Sequence, residues 1–292
     1  AAIPINALLV YLLLYGEFGL PKLGLFGAGL ATATVNGGTF AAGLWFATQR
    51  QPFARYHILA RLWRIDWSLM RRLVVIGAPI SISLLLEYGL FSSAALLMGM
   101  ISTTALAAHQ IALQVVAILF MIPLGTSMAA TVRVGHALGA GDSAGIRRAG
   151  MVAIRLGIAI GIAQTVAVIV LRFAIAKSFL GEGLGKTDAT VALSAELLLI
   201  GATFFITDGL QTIAAGALRG INDTRVPLLF AAVSYWGIGF SSAYALAFHT
   251  SLGAAGVWIG LSIGTLVYAT LLVGRFLLLS GRLEAQVNAG SV

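Results

Sequence analysis

Glu87 stands inside an apolar stretch, Ser81-Ile82-Ser83-Leu84-Leu85-Leu86-Glu87-Tyr88-Gly89-Leu90, and Asp208 inside another, Gly201-Ala202-Thr203-Phe204-Phe205-Ile206-Thr207-Asp208-Gly209. An ionised side chain at a bilayer centre costs about 3 kcal/mol on insertion scales, so such residues usually face a bundle interior and mark an ion or substrate path. At about 1.5 Å per residue both acids are expected ~14–17 Å from the same membrane surface, where one cavity can hold them. Two carboxylates desolvated together resist joint ionisation, so the pair would take up H⁺ or be neutralised by Na⁺. Carboxylate oxygens with nearby hydroxyls and carbonyls suit a hard cation, which makes Glu87 and Asp208 the candidate Na⁺ ligands. The competing reading is a pair of protonated acids that hydrogen-bond across helices as packing.

Around these acids Tyr88, Phe91, Phe204, Phe205, Tyr235 and Trp236 are candidates for a cavity wall that takes a flat apolar cation by stacking and cation–π contact. Ring contacts with neighbouring helices or lipid would explain them equally well. Gln211 and Thr207 flank Asp208, and interhelical hydrogen bonding is their default role. His109 reads as a polar start of a span near the outer surface. Gly139-Ala140-Gly141-Asp142 matches the GxGD pattern of intramembrane aspartyl proteases, but it falls in an Arg-rich turn at a span end and lacks the Pro-Ala-Leu tripeptide that would complete that signature. No P-loop, metal-ligand cluster or Ser-His-Asp set is found. The expectation is a protein that is not an enzyme and needs no cofactor.

The elements that must position these residues follow from composition. Of 292 residues 59% are hydrophobic and only 10% charged, against about 25% charged in ordinary soluble domains. The chain is therefore an all-α polytopic membrane protein: its apolar runs are continuous, whereas barrel strands alternate. The 35 Gly suit helices that pack closely in lipid. With no Cys, a disulfide framework is excluded. The net charge of +8 reads as topogenic and not as nucleic-acid binding, because the Lys and Arg lie mostly between apolar runs.

About eight spans are expected, near 1–15, 23–48, 76–100, 106–131, 149–176, 191–217, 226–248 and 253–279. Arg50, Arg71, Arg133, Arg147, Arg148, Arg219, Arg225, Arg275 and Arg282 then share one side, which the positive-inside rule makes cytoplasmic, with both chain ends. Pro123 is expected to kink its helix and to free the carbonyl of Leu119, while Pro79 and Pro227 read as tolerated near span starts. Gly139 and Gly141 before Asp142 read as a helix stop followed by an N-cap. From Pro52 to Arg72, Phe53, Tyr56, Leu59, Trp63, Trp67 and Met70 recur at helical spacing, as in an amphipathic interfacial helix, and this segment is taken as a domain boundary. An internal repeat, Leu25-Phe26-Gly27-Ala28-Gly29-Leu30 against Leu252-Gly253-Ala254-Ala255-Gly256-Val257, leaves the spans from 76 to 217 without counterparts. About four further spans are therefore expected before Ala1. No signal peptide is recognised at Ala1-Ala2-Ile3-Pro4.

Taken together, Gly77-Ala78-Pro79-Ile80, Leu86-Glu87, Ala107-Ala108-His109-Gln110-Ile111-Ala112, Pro123-Leu124-Gly125, Ser127 to Gly135, Leu138 to Asp142, Ala217-Leu218-Arg219-Gly220 and Asp223-Thr224-Arg225-Val226-Pro227 resemble the multidrug and toxic compound extrusion (MATE) family, in its NorM-like bacterial branch. The resemblance covers essentially residues 1–280. It implies twelve spans in two six-helix lobes, of which this chain holds the last two helices of the N-lobe (1–48), a cytoplasmic interlobe connector (49–75), the complete C-lobe (76–280) and a cytoplasmic tail (281–292). It implies secondary active multidrug efflux: organic cations leave by antiport with Na⁺ or H⁺ as the lobes rock, in the bacterial inner membrane. Glu87 and Asp208 match the C-lobe acids assigned to cation coupling, and Phe204 matches a position one turn earlier that is often aromatic. The first four helices of the family pattern are absent, including one whose acid serves proton coupling in some relatives. The partners so implied are small organic cations, membrane lipid and the missing N-terminal helices, with no nucleic acid. Two alternatives stand beside this reading: a lipid-linked oligosaccharide flippase, whose cavity would favour basic residues for pyrophosphate, and a non-transporting membrane scaffold.

Overall fold

The computed structural model describes residues 2–16, 21–50, 66–180 and 187–290, and every regular element among them is helical. They are α1 (Ala2–Tyr15), α2 (Gly24–Gln49), α3 (Trp67–Ile101), α4 (Thr103–Gly139), α5 (Ser143–Leu180), α6 (Thr187–Ile200), α7 (Ala202–Gly220), α8 (Arg225–Ala231), a π-helical segment (Ala232–Phe240), α9 (Ser241–Phe248) and α10 (Ala254–Gly290). Five helical runs are long and apolar enough to cross a bilayer: α3, α4, α5, the continuous run 225–248 and α10. Helices α6 and α7, bent by 48° to one another, pass the same test of length and apolarity when taken together. The first two of the eight expected spans do not reach this standard, the first on length and the second on composition. Helix α1 has only 14 residues, and α2, with 26, carries Thr32, Thr34, Asn36, Gly37, Gly38 and Thr39 through its middle.

Helix α3 begins well before the expected residue 76 because Asp66 caps it, accepting from the backbone N–H of Ser68 (2.9 Å) and Leu69 (3.2 Å). Pro79 accordingly lies inside α3 and not near its start. Of the expected interfacial helix, residues 51–65 lie outside the described residues, and Trp67 and Met70 are exposed in the first turn of α3.

The chain divides into two units, Ala1–Met70 and Arg71–Val292. In the first, α1 and α2 form a hairpin in which a side chain at Gly27 would place its Cβ 2.5 Å from the carbonyl oxygen of Leu13. In the second, α4, α5 and α10 all pack on α7. Small residues make this close approach workable: a Cβ at Gly216 would collide with Ser127, and one at Gly220 would lie 2.8 Å from the Thr131 carbonyl. The facing hydroxyls use the proximity, Ser127 donating to the carbonyl of Thr212 (2.7 Å) and Thr131 to that of Gly216 (2.8 Å). Such backbone proximity replaces the hydrophobic drive that lipid cannot supply between helices.

Helix α4 runs through Pro123 unbroken, and the carbonyl that the proline ring frees finds a donor: Gln164 Nε2 of α5 reaches Leu119 O at 2.8 Å. At one end of the second unit two turns repeat the same stop. Asp142 N–H donates to Ala137 O and Gly141 N–H to Leu138 O, with Gly141 at φ 69°; Asp223 N–H donates to Leu218 O and Asn222 N–H to Arg219 O, with Asn222 at φ 60°. Both are Schellman closures, which need a left-handed residue after the helix. Asp142 then caps α5, accepting from Gly145 N–H at 2.8 Å, so the carboxylate of the GxGD match serves as a helix cap in a turn. At the same end Arg275 Nε pairs with Asp223 at 2.9 Å, and Arg147 with Glu284 at 2.8 Å.

Candidate functional site

Helix α7 carries Asp208, Gln211, Ala215 and Arg219 at spacings of three and four residues, hence along one stripe of the helix. Asp208 and Gln211 are buried, and Glu87 on α3 is half-buried opposite them. The Gln211 amide joins the two acids, its Nε2 donating to Asp208 Oδ1 at 2.9 Å and to Glu87 Oε1 at 3.3 Å. The two carboxylates that stand 121 positions apart in the sequence thus meet across one side chain. One residue before Asp208, Thr207 shares a 2.9 Å hydrogen bond with Thr265 of α10 and ties this turn of α7 to its neighbour.

The oxygens around this bridge are not saturated. Gln211 Oε1 and the Tyr235 hydroxyl are buried and lack a hydrogen-bond partner. Tyr235 interacts electrostatically with Glu87 and Asp208 without a hydrogen bond of good geometry, and it lies against Tyr268, ring centroids 4.9 Å apart. Arg219 is within electrostatic reach of Glu87 and Tyr268. Unpaired buried polar groups are costly, and two adjacent carboxylates repel. A bound proton or a monovalent cation would relieve both, because each brings positive charge into direct contact with these oxygens, whereas Arg219 forms no ion pair with either acid. Among the described residues no three His, Cys, Asp or Glu side chains come together.

The aromatic candidates separate into three groups. Trp236 and Tyr235, both from the π-helical segment, stand beside the bridge: Trp236 Nε1 donates to Leu86 O at 3.2 Å, and its ring covers Gly89, where a Cβ would lie 3.1 Å from it. Phe91, Phe204, Trp258 and His109 form a line of edge-to-face contacts at 5.9, 6.0 and 5.7 Å. Phe204 and Phe205 are buried in helix packing. Tyr88 lies apart on the outer face of α3, 70% exposed. His109, expected at a polar span start, is instead fully buried against Trp258 with neither ring nitrogen hydrogen-bonded. Helix α4 starts six residues earlier, at Thr103 capped by Ser102, and carries His109 into the packed layer.

Tyr268 and Arg219, which lie within electrostatic reach of Glu87, and Thr265, bonded to Thr207, are not singled out by the sequence. Arg219 was absorbed into the topogenic charge. The stripe Asp208, Gln211, Ala215, Arg219 was the available signal, as was the i, i+3 pair Thr265 and Tyr268 within an apolar run.

Comparison with known proteins agrees with this architecture. Residues 79–245 match the family described as MatE. Over 283 residues the chain is 67% identical to the "Probable multidrug resistance protein NorM" of Bradyrhizobium diazoefficiens, covering 97% of this chain and 60% of that protein. Over 275 residues it is 55% identical to the protein of the same name from Rhodopseudomonas palustris, covering 94% and 58%. The chain thus spans about 60% of the length of these curated relatives. Among solved structures it superposes on the eukaryotic MATE transporter AtDTX14 with a TM-score of 0.82 at 23% identity, over 98% of this chain and 63% of that one. An outward-facing multidrug resistance MATE family transporter matches with a TM-score of 0.81 at 20% identity, over 97% and 61%. Since the family match takes in more than half of its residues and such similar relatives align along nearly all of it, the chain belongs to the MatE family.

Proposed function

We propose that this chain forms the ion-coupling half of a secondary active multidrug exporter, in which organic cations leave the cytoplasm in exchange for Na⁺ or H⁺. The observation that carries the reading is the Glu87–Gln211–Asp208 bridge: a half-buried and a buried acid on different apolar helices, held together beside unsaturated oxygens. The coupling ion binds there, with Glu87 and Asp208 as its charged partners and Gln211 and Tyr235 beside them. Each bound species biases the exchange between conformations only by the difference in its affinity for them. Trp236, which covers Gly89, and Phe91, one turn on from Glu87, supply ring faces for a flat cation. The names of the NorM relatives support the substrate class. The acidic character of the site disfavours an anionic pyrophosphate cargo.

The N-lobe, connector, C-lobe and tail take the bounds 1–48, 49–75, 76–280 and 281–292, with both described ends and the arginine-rich turns in the cytoplasm of a bacterial inner membrane. The complete transport cycle belongs to the whole fold of the relatives, of which this chain spans about 60%.

The test joins this chain to the N-terminal part of the Bradyrhizobium relative, reconstitutes it in proteoliposomes and follows ethidium efflux under an imposed Na⁺ or H⁺ gradient. Glu87→Gln with Asp208→Asn is expected to lower ion-driven efflux by about tenfold or more, the effect of losing roughly 1.4 kcal/mol of ion binding. Undiminished gradient-driven efflux by the double variant would overturn the assignment.

A further inference from the structure

At the arginine-rich end of the second unit, α4 and α5 diverge from the Gly141 turn and leave a cavity of about 650 Å³ between them. That volume falls within the roughly 300–1,000 Å³ of pockets that hold small molecules. Arg133, His136 and Arg148 line one part of it; Thr126, Val152 and Leu156 line the other. Alanines on both facing helices, such as Ala129 and Ala149, leave the room.

Cations outnumber anions in this cavity: the Asp142 carboxylate is the one acid among its lining residues, against Arg133 and Arg148. Arg147, next to Arg148, is paired with Glu284, and the Asp142 carboxylate is engaged with the N–H of Gly145. Among the described residues neither Arg133 nor Arg148 has an ion-pair partner, and both are exposed. Two guanidinium groups line it with an imidazole, beside an apolar floor open at the surface of α5, where Val152 and Leu156 are 57% and 50% exposed. The chemistry that satisfies both parts is amphipathic: a phosphodiester anion for the arginines, which bind phosphate in a forked geometry, and an acyl chain for the floor. Basic pockets between membrane helices take anionic lipid headgroups on this principle.

We infer that the groove between α4 and α5 is a binding site for one anionic glycerophospholipid, its phosphate held by Arg133 and Arg148 and one acyl chain lying along Val152 and Leu156. A free phosphate would satisfy the arginines but would leave the apolar floor uncovered, so the lipid is the occupant.

The purified chain in neutral detergent, supplemented with dioleoyl-phosphatidylglycerol or dioleoyl-phosphatidylcholine, tests this by native mass spectrometry and thermal unfolding. One phosphatidylglycerol is expected to be retained in preference to phosphatidylcholine and to raise the unfolding temperature. Arg133→Ala with Arg148→Ala should weaken retention by about tenfold or more, the scale of one charge-assisted hydrogen bond. Arg225→Ala, a cation at the same end but outside the groove, should leave retention unchanged. Ala129→Phe, which fills the apolar floor and keeps both arginines, should also expel the lipid. Equal retention of the two lipids, unchanged retention in the double arginine variant, equal loss in Arg225→Ala, or the same stabilisation by inorganic phosphate would overturn the site. The readout involves no transport and is independent of the ion-coupling proposal.

Discussion

Gln164 and Gln211 each place an amide where the fold would otherwise leave a polar group without a partner in an apolar surround. Gln164 serves the Leu119 carbonyl that Pro123 frees; Gln211 serves two carboxylates at once. Half of the first arrangement was legible: a proline inside a helix names the carbonyl it releases, four residues back. The donor, 45 positions away on α5, was not, because any of several polar residues on any helix would have met the same need. Gln164→Ala is expected to destabilise the protein by about 1–3 kcal/mol, the cost of leaving a buried acceptor unmade. In a Pro123→Ala background, where residue 123 regains an N–H for Leu119, the same substitution should cost markedly less. Equal losses in both backgrounds, by thermal unfolding in detergent, would show that Gln164 acts some other way.

At the scale of elements, the contact of α4 with α7 rests on the absence of side chains at chosen positions and on hydroxyls that exploit it. Gly216 and Gly209 separate these ideas. A Cβ at Gly216 would collide with Ser127, whereas one at Gly209 would meet Pro123 at an ordinary 3.5 Å. Gly216→Ala should therefore cost about 1–3 kcal/mol through overpacking, and it should disturb the Ser127–Thr212 and Thr131–Gly216 bonds. Gly209→Ala should be neutral or gain up to about 1 kcal/mol of helix propensity. Parallel unfolding measurements on the two variants check the difference, and equal behaviour would contradict the packing described. The start of α3 at Asp66 and the depth of His109 carry the same lesson. Apolar periodicity locates a helix, but capping by Asp66 and Ser102 decided where two of them begin, and with that which residues enter the core.

At the scale of the whole molecule, Leu138 at the end of α4 and the turn at 221–223 border one pocket with Arg275 and Arg282 of α10, and Arg147 pairs with Glu284 of the same helix, so these arginines share one end of the second unit. The turn between α9 and α10 stands at the opposite end of those helices. The sequence contains no Cys, so single thiols report topology directly. Ala144→Cys is expected to react with a membrane-impermeant maleimide only from the cytoplasmic side, and Ser251→Cys only from the other; the reverse pattern would invert the orientation proposed from positive charge.

Membrane character, the helical class, the existence of the apolar helices from α3 onward and the helix stop at Gly141 were determined by the sequence alone, and so was the presence of two acids within apolar runs. Each follows from local composition or from the cost of a charge in hydrocarbon, which acts wherever the chain folds. Only the tertiary structure decided that Gln211 would bridge Glu87 and Asp208, that Tyr235 would join them from a π-helical segment while Tyr88 faced outward, and that Arg133 and Arg148 would border one groove. Those outcomes depend on the rotation and approach of helices distant in sequence, set by glycine contacts and interhelical hydrogen bonds that no single run of residues encodes.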